Sequence, residues 1–164
     1  MERPRYIVKQ IEAHADAAEV AKLQKLYGSI SNHQTSMALK VEKRLADAES
    51  MLRRKENAIN GLFWGSKKIE EVRKEVSDLF DLYTPVAKVY TDDIEEVFAL
   101  GNFEVEDVDW KFVRLVERMR SISVGDIVYD ALLNVYFMVD PSGWTRVEEP
   151  ESTRKHFNDR EAAA

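Results

Sequence analysis

The sequence predicts an α+β protein, in which an N-terminal α-helical arm precedes a small antiparallel β-sheet or partial barrel with one short helix. Three observations carry that expectation. From Arg5 to Thr84 there is no proline, and apolar residues recur at three- and four-residue steps. From Ile122 onward the period shifts towards two, in short runs separated by Gly-Asp, Asp-Ala-Leu-Leu-Asn and Asp-Pro-Ser-Gly. The charge divides as well. Residues 1–83 hold 15 Lys/Arg and 13 Asp/Glu, a net of +2, whereas residues 84–164 hold 9 and 17, a net of −8. Such asymmetry points to two modules with different surfaces. The expected organisation is a helical, coiled-coil-like arm over 1–84, a small α+β domain over 85–149, and a polar tail over 150–164.

The first helix is expected from Ile7, Ile11, Ala15, Ala18 and Ala21. Gly28 reads as its C-cap, because glycine takes positive φ without strain. Ser31 and Gln34 have the S-x-x-Q spacing of a capping box for a second helix. That helix carries Val41, Leu45, Ala48, Leu52, Lys55, Ile59 and Leu62, a 4-3-4-3 seam with one lysine in it. A short turn between the helices favours an intramolecular coiled-coil hairpin. The same seam is also able to pair two copies in a homo-dimer. Asn60-Gly-Leu-Phe-Trp-Gly-Ser interrupts the pattern, either as an apolar plug or as a docking tip. Ser66 reads as the N-cap of a third helix with Ile69, Val72, Val76, Leu79, Phe80 and Tyr83 on one face.

Pro85 is expected to end the helical half. Val86–Tyr90 reads as a short strand, and Thr91-Asp92-Asp93 caps the short helix Ile94–Leu100, with Asp92 and Glu95 at capping-box spacing. Gly101-Asn102 closes that helix. Phe103–Trp110 reads as an edge strand or ordered loop, and a strand is expected near Val116–Arg120. Ser-Val-Gly-Asp then introduces a three-strand meander. Its strands are Ile127–Asp130, Val135–Val139 and Trp144–Val147, joined by Ala131–Asn134 and Asp140-Pro-Ser-Gly. Gly125 suits a turn or bulge, and Asp126 suits hydrogen bonding to nearby backbone.

Cysteine is absent, which removes disulfides, thiol chemistry and Cys-rich zinc sites. No apolar run approaches the roughly 18 residues that span a membrane. The expectation is a cytoplasmic protein. His14, His33 and His156 have no metal-ligand spacing. There is no G-x-S-x-G, P-loop or G-x-G-x-x-G motif. No catalytic residue, metal site or cofactor is expected, so the chain reads as a non-enzyme.

Tyr90-Thr-Asp-Asp-Ile-Glu-Glu-Val-Phe-Ala-Leu-Gly-Asn102, Arg120-Ser-Ile-Ser-Val-Gly-Asp-Ile-Val128 and the closing Gly143-Trp144 together resemble the YodL-like domains. Those domains occur in small proteins of bacteriophages and plasmids. The resemblance covers residues 88–147. The chain departs from it in the more apolar Asp130-Ala-Leu-Leu-Asn134. It implies a setting, an accessory protein of a phage or mobile element inside a bacterial host, and brings no chemistry to particular residues.

Two candidate surfaces follow. Asp92, Asp93, Glu95, Glu96, Glu104, Glu106, Asp107 and Asp109 are eight acids uninterrupted by Lys or Arg. Such a one-sign stretch steers towards a basic partner. Arg53, Arg54, Lys67 and Lys68 flank Phe63 and Trp64, a basic and aromatic tip suited to phosphates and base stacking. The leading expectation is an inhibitor or modulator of a host or defence-system protein. The alternatives are a nucleic-acid-binding factor using the tip, which the net acidity disfavours, and a coiled-coil assembly protein.

Overall fold

The computed structural model describes residues 3–30, 36–62, 67–102 and 110–151, with Leu62 by its backbone only. Among these residues the fold is α+β, with four α-helices and a six-stranded antiparallel sheet. The elements run β1 (Tyr6–Ile11), α1 (His14–Ile30), α2 (Ser36–Leu62), α3 (Ile69–Asp78), a 3-10 turn (Phe80–Leu82) and β2 (Tyr83–Val89). They continue with α4 (Ile94–Asn102), β3 (Phe112–Arg114), β4 (Ile127–Asp130), β5 (Val135–Asp140) and β6 (Gly143–Val147). The chain divides into two compact units, Glu12–Gly61 and Met1–Ile11 with Leu62–Ala164. The boundary expected at residue 84 is therefore displaced, since the N-terminal strand and α3 belong to the unit that holds the sheet.

The strand order is β3-β2-β1-β4-β5-β6. β1 is central, paired antiparallel with both β2 and β4. This corrects the first part of the helix expected from Ile7 to Ala21, which is helical only from His14 onward. A four-residue spacing such as Ile7–Ile11 fits one face of a strand as well as one face of a helix. All six residues of β1 are buried, so the polar/apolar alternation that marks a half-exposed strand is missing. Lys9 and Gln10, each 1% exposed, further hid a core strand behind polar residues.

Each face of the sheet has its own core. Tyr6, Val8, Ala87, Val89 and Val128 pack with Val97 of α4 and with Ile122. Ile7, Tyr129 and Tyr136 lie in cross-strand register on the other face. There the Tyr136 ring meets Phe80 edge-on at 4.8 Å and Tyr129 at 4.9 Å. The Lys9 ammonium lies 4.9 Å from the Phe80 ring centre and 5.5 Å from that of Tyr136, which offsets part of the cost of burying its charge. Val72 and Val76 of α3 are buried, whereas Phe80 and Leu82 follow in the 3-10 turn and Tyr83 already belongs to β2. The single third-helix face expected through Tyr83 is thus split over three elements. Its expected cap, Ser66, lies outside the described residues; Lys68 stands at the N-cap position.

Pro85 sits inside β2, where it was expected to end the helical half. The β1–β2 register shifts there, from Val8↔Ala87 to Lys9↔Pro85, leaving Val86 as the extra residue. A bulge is where a residue without an N–H donor is tolerated in a ladder. β3 forms at Phe112–Arg114, ahead of the strand expected near Val116. The meander is as expected, β4 pairing with β5 and β5 with β6. Its second turn is tied by Asp140, which accepts from Ser142 N at 2.8 Å and Thr145 Oγ1 at 2.5 Å. Burial works to raise the Asp140 carboxyl, but these donors outweigh it and hold it below the usual carboxylate range.

In the second unit, Val20 and Leu23 of α1 and Ala38, Val41 and Ala58 of α2 are buried. The seam residues Leu45, Ala48, Leu52, Lys55 and Ile59 are half-buried. Lys55 Nζ lies 2.6 Å from Asp16 Oδ2 and donates to the Glu12 carbonyl at 3.2 Å. Gln24 meets Glu49 at 3.3 Å. Ala15, Ala18 and Ala21 are exposed, so the stripe expected for α1 is replaced by one through Asp16, Val20 and Leu23. The Glu12 carboxylate caps α1, accepting from the amides of His14 and Ala15. Gly28 lies inside α1, which continues to Ile30, and not at a positive-φ cap. The proposed Ser31/Gln34 capping box lies outside the described residues.

Gly101 was expected as a helix stop, but it serves close packing. A Cβ there would come within 2.3 Å of Ile122 Cδ1 and 2.7 Å of its Cγ1. Gly28 has nothing within 4 Å of such an atom. In chemical denaturation, Gly28→Ala should therefore gain about 0.5–1 kcal/mol from helix propensity. Gly101→Val should lose about 2 kcal/mol through overpacking. A second expectation concerns pH. A carboxyl held low in the folded state contributes stability above its unfolded pKa, and that stability is lost as pH falls through the folded value. Asp140→Asn should accordingly narrow the gap in stability between neutral and acidic pH, as read by thermal melts across that range.

Candidate functional site

Strand β4 is four residues long and has a buried acid at each side. Asp126 precedes it and Asp130 ends it, exposed by 1% and 2%. Each is held by an arginine. Arg120 donates from Nη2 to Asp126 Oδ1 at 2.6 Å and from Nη1 to Oδ2 at 3.1 Å. Oδ2 also accepts from Ser123 N and Gln10 Nε2, both at 2.9 Å. Gln10 Nε2 reaches the Arg120 carbonyl too, at 3.2 Å. Burial drives the Asp126 carboxyl above its usual range, and Arg120, Ser123 and Gln10 act in the opposite sense. Gly125 adopts φ 91°, the left-handed turn that glycine suits. Its carbonyl accepts the Tyr83 hydroxyl at 2.5 Å, and burial keeps that phenol protonated by raising its pKa. The local hydrogen bonding expected of Asp126 is present, and it extends to the central strand through Gln10.

The other end of β4 forms the candidate site. Arg5 donates from Nε to Asp130 Oδ1 at 3.3 Å and from Nη2 to Oδ2 at 3.1 Å, a two-pronged guanidinium–carboxylate pair. That hydrogen bonding raises the Arg5 pKa further. Asp130 Oδ1 also accepts the amides of Leu132 and Leu133, at 3.0 and 3.2 Å, which shapes the β4–β5 loop. Arg5 Nη1 reaches across to the Asp92 carbonyl at 3.0 Å. One side chain thus ties the start of β1, the β4–β5 loop and the turn before α4.

The acids at that turn do different work. Asp93 Oδ1 accepts from Glu95 N at 3.0 Å and so caps α4, while Asp93 N donates to Thr91 Oγ1 at 3.3 Å. The cap thus falls within the expected Thr91-Asp92-Asp93 stretch, at Asp93, and not through the Asp92/Glu95 spacing. Instead the Asp92 side chain is 99% exposed, with Arg5 Nη1 3.8 Å from its Oδ1. Glu96 accepts from Thr91 Oγ1 at 2.6 Å and from Lys111 Nζ at 3.0 Å, and the two donors lower its pKa in that order. Glu95 is exposed. The described acids are therefore interleaved with Arg5 and Lys111 and do not form an unmixed patch. Glu104, Glu106, Asp107 and Asp109 lie outside the described residues.

The second sequence-derived group is divided between the two units. Arg53 and Arg54 are exposed on α2, in the helical unit, whereas Lys67 and Lys68 belong to the sheet unit. Lys67 pairs with Glu75 at 2.7 Å. Phe63 and Trp64 lie outside the described residues.

Sequence reasoning missed Arg5, Asp130 and Trp110 as parts of a site. Trp110 is 62% exposed, and Leu132 and Leu133 are 70% and 58% exposed. The signal that was available is the Asp126-Ile-Val-Tyr-Asp130 pattern, in which acids flank a run too apolar to face water. Among the described residues no group of three or more His, Cys, Asp or Glu is placed to hold a metal, and no helix is long and apolar enough to cross a membrane. No protein-family model, curated protein or solved structure matches the chain.

Both forks are expected to be structural necessities. Asp126→Asn keeps the shape but turns an amide donor towards the donors of Arg120, Ser123 or Gln10, and should cost about 2 kcal/mol. Arg5→Lys removes the two-pronged geometry and should cost about 1–2 kcal/mol. Arg53→Lys, on an exposed helix face, should stay within about 0.5 kcal/mol. Urea denaturation of the three variants checks the ranking.

Proposed function

We propose that this chain is a non-enzymatic accessory protein of a phage or mobile element that binds and inhibits a host or defence-system protein. The docking surface in this reading is the turn before α4, where Asp92, Asp93 and Glu95 face solvent. The observation that carries it is the treatment of Asp92. Its main chain is held by Arg5 while its carboxylate is left 99% exposed. A charge presented on a fixed backbone loses little freedom on binding and selects an oppositely charged partner. Exposed Trp110, Leu132 and Leu133 lie on segments joined to the same network and supply the apolar anchors that interfaces use. The likeness to YodL-like domains in Tyr90–Asn102 and Arg120–Val128 supports the phage setting and a cytoplasmic place of action.

Within this reading α1 and α2 form an intramolecular coiled-coil hairpin. The pairing of the seam lysine Lys55 with Asp16 supports it, because the polar seam position is satisfied within one chain. The reading predicts a monomer in light scattering. A stable dimer would favour the assembly alternative, in which α2 pairs between copies through its seam.

Affinity capture from bacterial lysate tests the docking surface. The wild-type chain is expected to retain a basic protein at low salt and to release it as ionic strength rises. Asp92→Lys combined with Glu95→Lys should abolish that capture without lowering the thermal midpoint. Unchanged capture by the double variant would count against this surface. Retention of DNA in place of a protein, lost on changing Arg53 and Arg54, would favour the nucleic-acid reading.

A further inference from the structure

Beside the Arg5 network lies a cleft of about 460 Å³ whose walls include Arg3, Arg5, Tyr90, Asp92, Trp110 and Lys111. We propose that this cleft binds a nucleoside monophosphate. The volume lies within the range of small-ligand sites, which combine aromatic walls with a few convergent polar groups. Trp110 is 62% exposed and Tyr90 half-buried, so two π surfaces border the cleft. Base stacking uses such surfaces and tolerates any base.

The polar groups suit one phosphate. Arg3 is exposed and makes no ion pair among the described residues. Arg5 is fixed from behind by Asp130, which is only 2% exposed. Its bonds to Asp130 and to the Asp92 carbonyl use three of its five N–H groups. One N–H on Nη1 and one on Nη2 remain to donate, an arrangement that guanidinium groups use on phosphate. Lys111 also lines the walls, with its ammonium paired to Glu96 at 3.0 Å. The exposed carboxylate of Asp92 is the acceptor on offer to ribose hydroxyls. Among the described lining residues, Arg3, Arg5 and Lys111 stand with the Asp92 carboxylate, Arg5 being paired with Asp130 and Lys111 with Glu96.

The surroundings set the size of the anion. Asp93 and Glu95 follow the lining residue Asp92 closely in the chain, and residues 84–164 carry a net charge of −8. A polynucleotide brings a row of phosphates into that field, whereas a mononucleotide places its charge only beside the arginines. This site shares Asp92 and Trp110 with the protein-docking surface, but Arg3 belongs to the cleft alone and Glu95 to the docking surface alone, so variants at those two positions tell the readings apart.

Isothermal titration calorimetry of the full chain with adenosine monophosphate tests the proposal, with adenosine, inorganic phosphate and oligo-thymidylates of increasing length as separate arms. The expected result is one-to-one binding of the monophosphate, with adenosine and phosphate each about tenfold weaker or more. Arg3→Ala and Trp110→Ala should each lower the affinity about tenfold, from loss of a charge-assisted contact and of a stacking surface. Both residues are exposed, so thermal midpoints should stay unchanged. The proposal is overturned by absence of heat at millimolar monophosphate, or by equal affinity for phosphate alone. It is also overturned by affinity that grows with oligonucleotide length, or by affinity that survives both substitutions.

Discussion

Two arginine–carboxylate forks hold β4 at its ends, and much of the sheet unit depends on them. Asp126 collects Arg120, Ser123 and Gln10, and so binds the approach to β4 onto the central strand. Asp130 collects Arg5 and two loop amides, and so binds the exit from β4 to the start of the chain. A four-residue strand has few ladder bonds with which to fix its own register. Buried charge is expensive unless it is paired and fully hydrogen-bonded, so each fork strongly penalises other arrangements of β4. The apolar residues between them, Ile127, Val128 and Tyr129, then supply burial on both faces.

The same constraint explains which parts of the fold were legible in the sequence. The meander was readable because Gly125, the 131–134 loop and Asp140-Pro-Ser-Gly announce local turns, and each turn is satisfied by nearby groups. Helix α4 was readable for a similar reason, its cap falling at Asp93 within the Thr91-Asp92-Asp93 stretch. The central strand was not readable. Its six residues are buried by β2 and β4, whose sequences lie more than seventy and a hundred residues away. Lys9 and Gln10 look like surface residues until Phe80, Tyr136 and Asp126 are placed around them. Pro85 misled in the same way, since only the pairing with Lys9 shows that it sits at a bulge.

The candidate site was legible only in part. The acids at 92–96 were identified as a group, but their division of labour depends on contacts the sequence does not show. Asp93 caps α4 while remaining exposed, and Glu96 is occupied by Thr91 and Lys111, which leaves Asp92 and Glu95 as the exposed acids without a capping role. Arg5 went unnoticed because the strand that follows it was read as a helix, which gives Arg5 no route to both Asp92 and Asp130. The resulting surface combines a rigid frame, exposed carboxylates, exposed apolar side chains and an aromatic, guanidinium-lined cleft.

If Arg5 joins the start of β1, the β4–β5 loop and the turn before α4, disturbing it must loosen all three together. Amide hydrogen exchange in Arg5→Ala against the parent chain measures this directly. The account predicts faster exchange at Leu132 and Leu133 and, on the far side of the guanidinium, at Asp93 and Glu95, with β5 amides still protected. Unaltered exchange at either group, or a uniform rise across the whole sheet, would contradict it.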